Sequence, residues 1–370
     1  MIDARSTRPG RGRRSGGCPR PGGVLALLAL LLLVAHPRPV PPRPLAGEAP
    51  AMPAQCGEDG ARCREQLIFS SGRRLSVYRN VPMSGSRAVT RALVVVHGTG
   101  RNPVSTFTGM MRAATEAGVL AHTLVLAPFF KTSEDSPSDR DATWTSGGWK
   151  VGDGAVEPSG LSSFAAMDEI VTSLADRSRF PNLTHITVVG HSAGGQFTQR
   201  YAAFGLAPGV VRGVGVNFVV ANPSSYVYLD PARPEPDGGG FRTPSGGACP
   251  DYDTYKYGLA GRGGYPGRLT PEQARATYLS RRVTILNGGA DTVQNGDMDT
   301  DCGAMLQGPN RAARGANFYR RIHGLYPNAP HDRIVVPGVD HDHYALFESP
   351  LALGALFGHG AASATASGIP

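Results

Sequence analysis

The pentapeptide Gly190-His191-Ser192-Ala193-Gly194 follows directly on the apolar run Ile186-Thr187-Val188-Val189 and leads into a helix-forming stretch, Gly195 to Ala202. Such a chain must pass from a buried strand through a sharp turn into a helix that opens at Ala193. Small residues two before and two after the serine let the backbone fold closely. Ser192 is then held in a strained conformation with its hydroxyl exposed, as nucleophilic serines are. With 49 glycines in 370 residues, a chance Gly/Ser turn is the competing reading. The strand before and the helix after weigh against it.

The rest of the chain fits this start. Short apolar runs at Arg91–Val96, Thr123–Ala127, His185–Val189, Val214–Val220, Val283–Leu286 and Arg333–Val336 read as strands. Several are continuous β-branched or aliphatic text, the pattern of strands buried on both faces. Helical patterns between them predict a mainly parallel α/β sheet with crossover helices. The clearest helix is predicted over 162–178, where Phe164, Met167, Val171 and Leu174 form one apolar stripe. A final helix is predicted over about 344–356. From Tyr226 to about Thr270 the text is rich in Pro, Gly, Tyr and Asp without a period, and a loop this long is read as a cap or lid, an insertion over about 226–280. Its tyrosines Tyr252, Tyr255, Tyr257 and Tyr265 are expected to pack it down, and Trp144 and Trp149 to join the core, rather than line a cleft.

Residues 1–35 read as a signal peptide, with a basic start and an apolar run from Val24 to Ala35. An uncleaved anchor is the alternative, and membrane contact is expected only through this export segment. A Pro-rich linker at 36–55, the domain at 56–357 and a flexible tail at 358–370 complete the predicted organisation. Residues 1–50 carry eight arginines against Asp3 and Glu48, so most of the net charge of +8 belongs to the leader and linker. The near-neutral remainder excludes a basic nucleic-acid-binding domain. Of the five cysteines, Cys18 lies in the leader, and an oxidising compartment makes disulfides between Cys56 and Cys63 and between Cys249 and Cys302 an expectation, with unpaired thiols as the alternative. No Cys/His grouping has zinc spacing. Asp297, Asp299 and Asp301 lack the glycine and closing Glu of a calcium loop and read as a solvated acidic turn.

A serine hydroxyl needs a base, and the base needs an orienting group. Val335 and Val336 leave the last strand through Pro337-Gly338 and place His341 just before the final helix, which makes it the expected base, with His343 its competitor and His331 disfavoured. Asp291 leaves the preceding strand through Asn287-Gly288-Gly289-Ala290 and is the expected acid, with Asp230 the runner-up. Ligand sites of open α/β sheets form outside the carboxyl ends of the strands, where these loops emerge. The oxyanion hole is expected from the backbone N–H groups of Ala193 and Thr99, the latter in His97-Gly98-Thr99-Gly100, with Gly98 as an alternative. His97, at a strand end, reads as a structural turn residue.

On the His97-Gly98 strand exit, the Gly190–Gly194 turn, Asp291 and His341 in that order, the chain resembles the α/β-hydrolase superfamily over about residues 67–357. The resemblance implies the α/β-hydrolase fold: an eight-stranded, mostly parallel sheet with helices on both faces and a loop-rich cap. It also implies a Ser/Asp/His mechanism without cofactor or metal. His-Gly-Thr-Gly departs from the His-Gly-Gly-Gly of the lipase branch. The expected activity is a secreted serine hydrolase acting on a small or polymeric carboxylic ester. Amidase or peptidase action with the same residues and a non-catalytic extracellular binding protein on this fold are the alternatives.

Overall fold

A computed structural model describes residues 54–56, 60–156, 160–245 and 247–358. The predicted leader, nearly all of the linker and the tail after Gly358 lie outside the described residues. The strands are β1 (Arg64–Ile68), β2 (Arg74–Arg79), β3 (Arg91–Val96), β4 (Thr123–Pro128), β5 (His185–His191), β6 (Gly215–Ala221), the short ribbon β7 (Arg233–Pro234) and β8 (Phe241–Arg242), β9 (Arg282–Gly288) and β10 (His331–Val336). The helices are α1 (Pro103–Glu116), α2 (Ser163–Leu174), α3 (Ala193–Phe204), α4 (Ala207–Val210), α5 (Pro271–Ser280), α6 (Cys302–Met305), α7 (Arg311–Leu325), α8 (His343–Phe347) and α9 (Pro350–Phe357).

Eight strands form one sheet in the order β1-β2-β4-β3-β5-β6-β9-β10. β2 pairs antiparallel with β1 and β4, and from β4 across to β10 every pairing is parallel. A parallel sheet must be covered twice, and the alternation along β3 shows how. Val94 and Val96 face a core containing Phe164 and Met167 of α2, Phe197 and Tyr201 of α3, Tyr278 of α5 and Phe318 of α7. Leu93 and Val95 face the opposite core, with Phe107 and Met110 of α1, Phe347 of α8 and Leu356 of α9. Each of these fully buried side chains contributes about 1.5–3 kcal/mol of transfer free energy.

Each predicted strand is present, and the structure adds the β1–β2 hairpin, α1 and α7. The helix predicted over 162–178 ends at Leu174, and Asp176 turns the chain by accepting a hydrogen bond from Ser178 N. The single final helix is two. Pro350 opens α9, and Ser349 caps it by accepting from Ala352 N at 3.2 Å. Both expected disulfides, Cys56–Cys63 and Cys249–Cys302, are formed. No helix among the described residues is long and apolar enough to cross a membrane.

The segment expected as a cap is tied down both within itself and to its neighbours. Arg233, buried, donates to the carbonyls of Asp230, Tyr252 and Tyr257 and to the Asp253 carboxylate. Tyr226 stacks on Phe318, Tyr255 donates to Val151 O at 2.6 Å, and Tyr257 and Tyr265 are buried. Among the described residues, no hydrogen bond or ring contact joins residues 226–280 to Ser192, Asp291 or His341.

Candidate active site

β5 is central, between β3 and β6, so the residue that follows it emerges in the middle of the sheet's carboxyl edge. Ser192 stands there with φ 58° and ψ −118°, a left-handed backbone conformation for a residue with a side chain. Its N–H donates to Ala221 O at 2.9 Å, and its carbonyl accepts from Gln196 N at 3.0 Å as α3 begins. Two glycines make the turn possible. A Cβ on Gly190 would overlap the Gly194 carbonyl, and one on Gly194 would overlap Val96 O. Such backbone strain costs about 1–3 kcal/mol and persists where the surroundings hold it in place.

Asp291 and His341 meet next to this turn. His341 Nδ1 and Asp291 Oδ2 are 2.6 Å apart, with the carboxylate almost fully buried and the imidazole part-exposed. Their two loops are joined as well, since Ala290 N donates to Val339 O at 2.8 Å and Gly289 N to Val336 O at 2.8 Å. With Nδ1 engaged by a carboxylate, Nε2 is the nitrogen left to accept a proton. The His191 ring, adjacent in sequence to Ser192, lies 4.4 Å from that of His341. Among the described residues no hydrogen bond joins the Ser192 hydroxyl to His341.

Three imidazoles cluster here, and their surroundings separate their roles. Burial pushes the pKa of His191 well down, with His341, His343 and Arg311 adding repulsion. Burial also lowers the pKa of His343 against the opposing charge of Asp342, and its Nε2 lies 3.3 Å from Ser105 Oγ. Both neighbours therefore stay neutral and do not oppose a positive charge on His341. His331 lies at the opposite end of β10, bonded to Tyr278 O at 3.1 Å. Asp230, the runner-up acid, is held by Arg321 at 2.8 and 3.1 Å and caps Ala232 N.

The His97 turn leaves β3 alongside. A Cβ on Gly98 would lie 3.9 Å from Ser192 Cβ, which places this turn over the serine. His97 Nε2 accepts from Phe130 N at 3.1 Å while Nδ1 faces Gly98 O at 3.0 Å, so the Nδ1–H tautomer is fixed. Burial lowers its pKa to about 4. It is a neutral structural residue. Arg101, at φ 49°, pins the end of the turn through Asp135 at 2.7 Å and Glu134 at 2.8 Å. Among the described residues, neither Ala193 N–H nor Thr99 N–H has a hydrogen-bond partner, so both are free to donate.

Two residues were not anticipated. Asn222, at φ 42°, accepts from Gly288 N at 3.0 Å and directs its amide at Asp340 O (3.4 Å) and His191 Nε2 (3.5 Å). It thereby touches the loops of serine, acid and histidine together, and the sequence signal was an Asn-Pro pair just past a strand end. Arg311 is fully buried, with Nη1 3.6 Å from Asp291 Oδ1 and Nη2 2.9 Å from Asn295 Oδ1. Asp299 corrects the reading of a solvated turn. It is mostly buried, bonded to Lys256, Tyr257 and Ser225, while Asp301 is exposed.

Solved structures share this arrangement of strands and helices. Similar to this chain are LpqC, a poly(3-hydroxybutyrate) depolymerase from Bordetella parapertussis (TM-score 0.55, 20% identity, 80% of this chain and 89% of that one), and poly(aspartic acid) hydrolase-1 from Sphingomonas sp. KT-1 (TM-score 0.56, 23% identity, 79% and 98%). The chain has the α/β-hydrolase fold. No family model matches the sequence, and no curated protein matches it. The turn carrying Ser192 leaves a central strand of this sheet.

Proposed function

We propose that the protein is a secreted serine hydrolase that cleaves a carboxylic ester through an acyl-enzyme. The observation that carries this reading is the 2.6 Å contact between Asp291 and His341 beside a serine held at positive φ. His341 Nε2 takes the proton of Ser192 Oγ as the oxygen attacks the ester carbonyl. Asp291 orients the ring and stabilises its positive charge. The oxyanion of the tetrahedral intermediate is received by the N–H groups of Ala193 and Thr99, the first reinforced by the helix terminus. Collapse breaks the C–O bond, and the alcohol leaves with the proton from His341. A water molecule, deprotonated by the same nitrogen, then attacks the acyl group and frees the acid and the serine. No step calls on a metal or cofactor. The two disulfides and the apolar leader support export. The two structural neighbours bear the names of hydrolases, which supports the reaction class.

The test is intact-mass analysis after exposure to a fluorophosphonate. One adduct on native protein, mapped to Ser192 and absent from heat-unfolded protein and from Ser192→Ala, is expected. Native, folded protein that takes up no adduct, or takes it up elsewhere, overturns the assignment.

A further inference from the structure

Beside the serine turn lies a group of cations with too few carboxylates. Gly148–Lys150 forms a single helical turn whose Trp149 is buried against His97 (ring centroids 4.7 Å apart) and Phe197 (6.4 Å). His97 opens the Thr99 turn and Phe197 stands in the second turn of α3. Lys150 therefore emerges next to both structures that frame Ser192. Its carbonyl accepts from Arg200 Nη1 at 3.4 Å. Its ammonium group has no hydrogen bond or ion pair among the described residues, although the side chain is part-buried.

Arg200 adds a second cation with no ion pair among the described residues, although the Asp299 charge acts on it. It is fully buried, and its guanidinium donates only to neutral oxygens, Lys150 O, Gln196 Oε1 at 3.2 Å and Ser225 Oγ at 3.1 Å, leaving Nε without a partner. The next carboxylate along this chain of contacts, Asp299, already serves Ser225 (3.2 Å), Tyr257 (3.0 Å) and Lys256 (3.0 Å). Gln196 stands one helical turn along α3 from Ser192, to whose carbonyl its N–H donates.

We propose that Lys150 is the contact of a subsite for a carboxylate that the substrate carries away from its scissile ester. This rests on the serine-hydrolase reading for the ester and adds the second recognition element. A monoanion fits, because among the described residues Lys150 is the cation of this group that has no ion pair and is not fully buried. Arg200 is fully buried and acts only through its field. Burial, with Arg200 and Lys256 nearby, lowers the Lys150 pKa to about 8 against the opposing charge of Asp299, with Arg101 a smaller further repulsion. At neutral pH the amine is therefore charged and incompletely solvated, the condition in which an added carboxylate interacts most strongly.

The experiment compares 4-nitrophenyl hemiesters of adipic and suberic acid with their methyl-capped diesters, as the ratio of kcat/KM within each pair, at pH 6.5. A ratio favouring the acids by about tenfold is expected from one charge-assisted contact. It falls toward unity in Lys150→Met, is restored in Lys150→Arg, and in the wild type declines as pH rises through 8. A wild-type ratio near unity, or one that Lys150→Met leaves in place, overturns the subsite. If neither ester is cleaved, the hydrolase reading fails separately. The subsite is then decided by calorimetric titration of adipate into Ser192→Ala protein with and without Lys150→Met: binding lost with the lysine supports it, and equal or absent binding refutes it.

Discussion

Asp291→Asn keeps the shape of the side chain and removes its charge. Asp291 Oδ2 lies 2.6 Å from His341 Nδ1. At an effective dielectric of about 20, Coulomb's law gives roughly 6 kcal/mol between carboxylate and imidazolium at that separation. That is an upper bound, because the Asn dipole recovers part of it and because Arg311, 3.6 Å from the same carboxylate, already offsets its charge. Retaining about two thirds leaves about 4 kcal/mol in any transition state with His341 protonated, a factor of about 10³ in rate. An Asn amide that turns its NH₂ to Nδ1 also moves the ring proton to Nε2, which blocks proton acceptance and raises the loss toward 10⁴. The assay is the second-order rate of fluorophosphonate labelling at Ser192, with Asp230→Asn as the parallel variant. Asp230 pairs with Arg321 at a part-exposed position, so that variant is expected to lose about 1 kcal/mol of stability and to label within threefold of wild type. An Asp291→Asn rate within tenfold of wild type, or a larger loss in Asp230→Asn, would refute the reasoning.

Two further outcomes are expected. His97 has a folded pKa of about 4, below the unfolded value of about 6.5. Its contribution is thus intact above pH 6.5 and is lost as pH falls toward 4, by about 3 kcal/mol in all. Urea midpoints should decline more steeply across that window in wild type than in His97→Asn, and parallel profiles would show that burial does not hold this imidazole neutral. Removing the Cys249–Cys302 crosslink with a double Ser variant frees a loop of sequence separation 53, worth about 4 kcal/mol of chain entropy. An unchanged denaturation midpoint would mean that the 226–280 segment is fixed by its other contacts alone.

The central strands and the Asp291–His341 pair were legible because parallel strands buried on both faces write continuous apolar text, and loops at their carboxyl ends inherit their positions from the sheet. Elements at its margin were not. β1 reads Arg-Glu-Gln-Leu-Ile and is half-solvated at the sheet edge, so no apolar run announces it. α7 carries five basic residues and buries Arg311 and Arg314, which makes its inner face look polar in sequence. α1 buries Phe107, Met110 and Met111 among threonines, alanines and Gly109, the last pressed against Tyr344, so no aliphatic run announces it. Asn222 escaped notice for a different reason. Its three partners come from loops far apart in the chain, and that convergence exists only in the folded state.

The sheet order has a consequence for synthesis. β10, whose exit carries His341, lies at one edge and pairs only with β9, while the serine turn is built on strands completed far earlier in the chain. A nascent chain emerging amino end first can assemble the strained turn long before its base exists. Until β10 docks, Ser192 stands in its strained turn without the base proposed for it. On the proposed mechanism, hydrolysis requires β10 to be in place, so a product that stalls before β10 has no base for Ser192.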